Sequence, residues 1–130
     1  MNAFDLIALK QKVGEEYADE AALFVLIHFD AAKRGRCSDS GYNFISRHLC
    51  MAYFIGARLK SPQFMKMVDE AGQAWRKAGA RPGQEASLTT GEYQVVGKAI
   101  NRYLRLLPKL EAGTYRQAHN MAEQVIAVQP

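Results

Sequence analysis

The sequence predicts an all-α fold of about five helices in one compact orthogonal array or bundle, assembled as a dimer. Apolar residues recur at three- and four-residue spacing along almost the whole chain, and no segment keeps a strand-like alternation. Helix start and stop signals divide the chain into five helical segments. With 130 residues, 48% of them apolar, one domain spanning residues 1–130 can bury an ordinary core without disulfides or metals. The charged fraction, 23%, is close to the globular average and argues against global disorder.

The first helix is expected from about Asn2 to Arg34, with Leu6, Leu9, Val13, Tyr17, Ala21, Phe24, His28 and Ala31 in one apolar stripe. Gly14 costs about 1 kcal/mol relative to alanine inside a helix, so a kink or break is expected there. Lys33, Arg34 and Gly35 make a C-terminal signal. Ser38, Asp39 and Ser40 offer N-caps for a second helix over about 41–60, with Ile45, His48 or Leu49, Ala52, Ile55 and Leu59 inward. Ser61-Pro62 starts a third helix, which carries Phe64, Met67, Val68, Ala71, Trp75 and Ala78 on one face and stops at Gly79. Thr89 and Glu92 form a capping box for a fourth, whose stripe is Tyr93, Val96, Ile100, Tyr103 and Leu107. Pro108 ends or kinks it. Thr114 and Gln117 repeat the capping pattern for a fifth helix presenting Tyr115, Ala118, Met121, Ala122 and Val125.

Composition narrows the chemistry. Cys37 and Cys50 are too few for a disulfide framework, and the N-terminus lacks the basic and apolar regions of a signal peptide. The most apolar run, residues 21–29, is far short of a membrane span. A cytoplasmic setting follows as the expectation. The histidines His28, His48 and His119 form no metal-ligand spacing with each other or with the cysteines, so no metal or cofactor is expected. Glu15, Glu16, Asp19 and Glu20 cluster on the first helix, but the Glu-x-x-His partners of a di-metal bundle are missing, and a solvated acidic face explains them. There is no nucleophile elbow, phosphate loop or dinucleotide fingerprint. Cys37, in a loop beside Arg34 and Arg36, is expected at the surface, where such neighbours can lower a thiol pKa.

Two surfaces remain as candidates for recognition. Residues 1–30 hold two lysines and six carboxylates, net −4; residues 31–130 hold fifteen basic and seven acidic groups, net +8. On the fourth helix Lys98, Arg102 and Arg105 recur opposite the apolar stripe, and Lys109 extends the row if the helix passes Pro108. Such a row can track phosphates, and the two helices from Thr89 to Val125 superficially resemble a helix-turn-helix. The other surface is apolar. Between Ala21 and Ala32 large side chains occupy every side of the first helix, as in a helix surrounded by protein. Either it is the central core helix, or one face meets a second copy or another protein.

These features predict a small non-enzymatic regulatory or adaptor protein of bacterial, phage or plasmid origin. It acts by sequestering or bridging a partner protein and pairs as a homodimer, with Leu23, Leu26, Phe29, Tyr53 and Phe54 at the interface. No membrane or small-molecule partner is expected. The first alternative is a nucleic-acid-binding regulator using Lys98, Arg102, Arg105 and Lys109. The second is an enzyme whose site the sequence does not announce, which a strongly perturbed Cys37 or His28 in a pocket would signal.

Overall fold

The computed structural model describes residues 12–81 and 85–128, and every regular element within them is helical. The helices are α1 (Glu15–Lys33), α2 (Asp39–Arg58), α3 (Pro62–Gly79), α4 (Thr90–Leu106) and α5 (Ala112–Val128), with a 3₁₀ turn over Leu107–Lys109. Among the described residues there is no strand, only isolated bridges of Lys12 with Glu111 and Cys37 with Ala86.

Local chemistry explains most of the boundaries. Gly14 adopts φ 91°, a conformation open to glycine and costly for other residues, and α1 begins at the next residue. Residues 1–11 of the expected first helix lie outside the described residues. At the other end of α1 Gly35, φ 71°, closes a Schellman motif: its amide donates to the Ala32 carbonyl, and the Arg36 amide donates to that of Ala31. Ser38 caps α2 by accepting from the Gly41 amide at 3.2 Å. Ser61 accepts from the Phe64 amide at the start of α3, with Pro62 in the first turn. Thr89 and Glu92 complete the expected capping box, and Arg81 clamps both Glu92 carboxylate oxygens at 2.8 Å. Pro108 ends α4, and the chain turns through the 3₁₀ segment.

The fifth helix departs from expectation. It begins at Ala112, so Gly113 and Thr114 lie inside it. The Tyr115 amide bonds the Glu111 carbonyl at 3.1 Å, which makes the Thr114–Gln117 capping box unnecessary.

The core lies between α2, α3, α4 and α5. Its largest fully buried side chains include Trp75, Tyr103, Ile45, Met51, Ile55 and Leu107. The broadest helix contacts are α3 with α4, α2 with α5 and α2 with α3. Helix α5 therefore docks on α2 and hardly touches α4, so the helix pair read as a helix-turn-helix is not packed as one. Helix α1 has a much smaller footprint, shared among α2, α4 and the 3₁₀ turn. The most apolar of the described helices is thus a layer on the outside of the bundle and not its centre. No helix among the described residues is long and apolar enough to cross a membrane.

Candidate protein-interaction surface

The inward side of α1 is the row Ala18, Ala21, Val25, Phe29 and Ala32. Three of these are alanines, which let the helix approach its neighbours closely. At Gly97 of α4 a β-carbon would stand 3.2 Å from the Phe29 ring, so the missing side chain is what admits Phe29 there. The ring lies stacked on Tyr93, centroids 4.7 Å apart and nearly parallel, and Lys33 places its ammonium over the other aromatic of that pair at 4.7 Å.

This seating corrects the expected stripe. Tyr17 and Phe24, predicted inward, are about half exposed, because the buried row is rotated by roughly one residue, 100° on a helix. Phe29, predicted at the interface, is 6% exposed and belongs to the core. What remains outside is Leu23 at 58% exposure and Ile27 at 51%, flanked by Phe24 and Leu26. At 100° per residue Leu23 and Ile27 lie within 40° of each other and nearly opposite the buried row, in line with Glu16, Glu20, Asp30 and Arg34. The outer row of α1 therefore reads acidic at its start, apolar in the middle and mixed with basic groups at its end. Arg34 pairs with Asp30 at 3.1 Å in solvent.

Leu26 opens onto a groove between α1 and α4 of about 430 Å³, floored by Phe29, Tyr93 and Ile100 and edged by Gln94, Lys98 and Asn101. The structure so joins two candidates kept apart in the sequence, the apolar α1 and the first cation of the α4 row. Lys98, Arg102 and Arg105 are exposed on the far side of α4 from Val96, Ile100 and Tyr103, as their spacing predicts. None of them makes an ion pair among the described residues. Lys109 is exposed too, but it sits on the 3₁₀ turn and not on the helical row.

The second helix does not join this surface. Tyr53 is exposed and Phe54 half-buried, and Tyr53 lines a separate cavity of about 530 Å³ between α2, α3 and α5. Tyr42 stacks on Trp75 at 5.2 Å, and Phe44 packs on Phe24 and His28. These aromatics are used within the chain.

Cys37 and His28 lie against neighbouring groups of the fold. Cys37, expected at the surface, is 1% exposed, because the Ala86 segment pairs with it across the domain and the Ala86 amide bonds its carbonyl at 3.2 Å. Burial, aided by Glu85, pushes its thiol pKa up, the reverse of activation. Burial raises that of Cys50 as well. His28 is wedged against Gly41, where a β-carbon would come within 2.6 Å of its Nδ1. His48 is buried with its Nδ1 2.6 Å from the Tyr103 hydroxyl. His119 is half-buried beside Glu123, whose carboxylate also holds Arg47 at 2.7 Å. Among the described residues no three His, Cys, Asp or Glu side chains converge.

No family model, no curated protein and no solved structure shows significant similarity to this chain.

Proposed function

We propose that this chain is a small regulatory or adaptor protein of the cytoplasm, folded as a single domain. It acts by binding another protein through the outer face of α1. The observation that carries this reading is the exposure of Leu23, Phe24, Leu26 and Ile27 together on one helix, where no other described helix exposes more than two large apolar side chains. Taking each such side chain out of water stabilises a complex by roughly 1 kcal/mol or more per half-exposed residue. Contiguous apolar patches of this kind are characteristic of binding sites. The groove beside Leu26 supplies a pocket for an anchoring side chain, and Lys98 on its edge supplies a charge that favours an acidic partner. Replacing Leu23 and Ile27 together by aspartate tests the reading. The variant loses its association with other protein chains, read by sedimentation and by affinity capture, while its helix content is unchanged. A variant that associates as the wild type does overturns it.

A second reading is favoured by the exposed and unpaired Lys98, Arg102 and Arg105, which leave the basic row of α4 open to phosphates. Reversing charge at Arg102 and Arg105 then abolishes nucleic-acid affinity and flattens its salt dependence. Unchanged affinity excludes it.

A further inference from the structure

We infer that the cavity between α2, α3 and α5 is a binding site for a small amphipathic carboxylate, an apolar body carrying one anionic group. Its volume is about 530 Å³, inside the range of roughly 300–1,000 Å³ that small-molecule sites occupy. Helix α1 contributes no residue to its wall, so the site is independent of the protein-binding face.

The space exists because of Gly72. This glycine lies inside α3, in the wall of the cavity, although glycine is among the poorest helix formers. Its φ is not positive, and a β-carbon there would meet nothing within 4 Å. Gly56 and Gly79 are different: a β-carbon would strike Phe64 and Met65 at one and Tyr42 at the other. Those two glycines permit close packing, whereas Gly72 leaves room in an interior that is otherwise densely filled.

The same close contacts make α2 and α3 antiparallel, with Tyr42 beside Gly79 and Gly56 beside Phe64. Counting inward from them, Asn43 is level with Arg76, and Cys50 with Asp69. The cavity therefore has two ends. Arg76 and Asn43 stand at one, with Arg47 a turn further in, and Asp69 stands two turns away at the other. Between the ends the wall is apolar, made by Leu49, Val68 and the buried Trp75, with Val125 on the α5 side. The Trp75 indole N–H donates to the Ser46 hydroxyl at 3.1 Å, which satisfies it. Asp69 accepts from the Gln73 amide at 3.1 Å, and Arg47 pairs with Glu123 at 2.7 Å. Arg76 makes no ion pair among the described residues. The uncompensated charge on the wall is thus a single guanidinium, which matches a monoanion and binds a carboxylate through two parallel hydrogen bonds. The apolar middle takes the body of the ligand.

The test uses octanoate, below the concentrations at which it forms micelles, and its uncharged counterpart 1-octanol. Trp75 is the single tryptophan of the chain and lies in the cavity wall, so its emission reports occupancy. Octanoate changes that emission saturably, calorimetry gives one site, and 1-octanol binds about tenfold or more weaker. Arg76→Gln lowers octanoate affinity to that of 1-octanol and leaves 1-octanol binding unchanged, which a merely structural role of this exposed residue would not do. Gly72→Leu replaces a poor helix former by a good one, fills the open space and abolishes binding of both compounds. Should that variant fail to fold, Arg76→Gln alone decides. The absence of saturable binding at low millimolar octanoate overturns the inference. So does 1-octanol binding as tightly as octanoate, octanoate affinity unchanged in Arg76→Gln, or a folded Gly72→Leu that still binds octanoate.

Discussion

The Nδ1 of His48 on α2 lies 2.6 Å from the Tyr103 hydroxyl on α4, deep enough that neither side chain has appreciable contact with water. Burial, reinforced by the charges of Arg47 and His119, brings the His48 pKa down to about 4, and burial pushes the Tyr103 phenol up. Both groups are therefore neutral across the physiological range, and their hydrogen bond satisfies two polar groups that the core would otherwise leave bare.

A pH dependence of stability follows from His48. In the unfolded chain it takes up a proton near its ordinary pKa of about 6.5, whereas the folded chain resists doing so until about pH 4. Between those values the unfolded state holds more protons, so stability rises with pH across that window and is complete above it. As pH falls through the window, stability drops by up to about 1.4 kcal/mol per unit. Urea denaturation from pH 7 to pH 4.5 shows this fall in the wild type, and a His48→Gln variant lacks that component of the slope.

Removing the Tyr103 hydroxyl alone gives a second, separable effect. Tyr103→Phe keeps the ring and leaves the His48 nitrogen buried without its partner, which costs roughly 1–3 kcal/mol. The loss appears at pH 7 as a lower denaturation midpoint with an unchanged urea dependence.

Gly79 closes α3 against the Tyr42 ring, and a β-carbon there would collide with the ring's Cε2 and Cζ. The ring cannot yield easily, because it is stacked on the buried Trp75. Gly79→Ala is expected to destabilise the protein by about 1–3 kcal/mol, and near-ultraviolet circular dichroism reports the disturbed Trp75 environment directly.

Lys60 offers the opposite case. It ends α2 at φ 55°, its amide bonding the Ala57 carbonyl and that of Ser61 bonding Gly56, the same Schellman geometry that Gly35 supplies after α1. A side chain in this conformation costs about 1–2 kcal/mol. Lys60→Gly is expected to raise stability by up to about 1 kcal/mol once the greater freedom of glycine in the unfolded chain is set against that relief. Thermal melts of the two proteins decide it.

What the sequence made legible was local. Ser61-Pro62, Thr89 with Glu92, and Pro108 act through neighbours within a turn, and each marks the boundary it predicts. The inward faces of α3 and α4 were legible because only one side of each is apolar. Helix α1 was not, because large apolar groups on every side give periodicity nothing to choose between. Its orientation was decided by Ala18, Ala21 and Ala32 and by Gly97 on a distant helix, so Phe29 went inward and Tyr17 and Phe24 did not. The burial of Cys37 under the Ala86 segment and the bond between His48 and Tyr103 join residues about 50 positions apart, which no window of sequence contains. For the candidate surface, Leu23, Leu26 and the α4 cations were legible, whereas the groove that brings Leu26 and Lys98 together depends on how the helices pack.

The most direct measurement of the protein-binding surface is affinity capture from nuclease-treated lysate of cells that also carry a second, differently tagged copy of the chain. Wild type is compared with Leu23→Asp, Ile27→Asp. The outer face of α1 as the binding surface predicts that wild type retains a defined protein, the second copy or another, and that the variant, equally helical, retains none of it. Identical retention by both proteins, or a wild type that retains no protein, contradicts it.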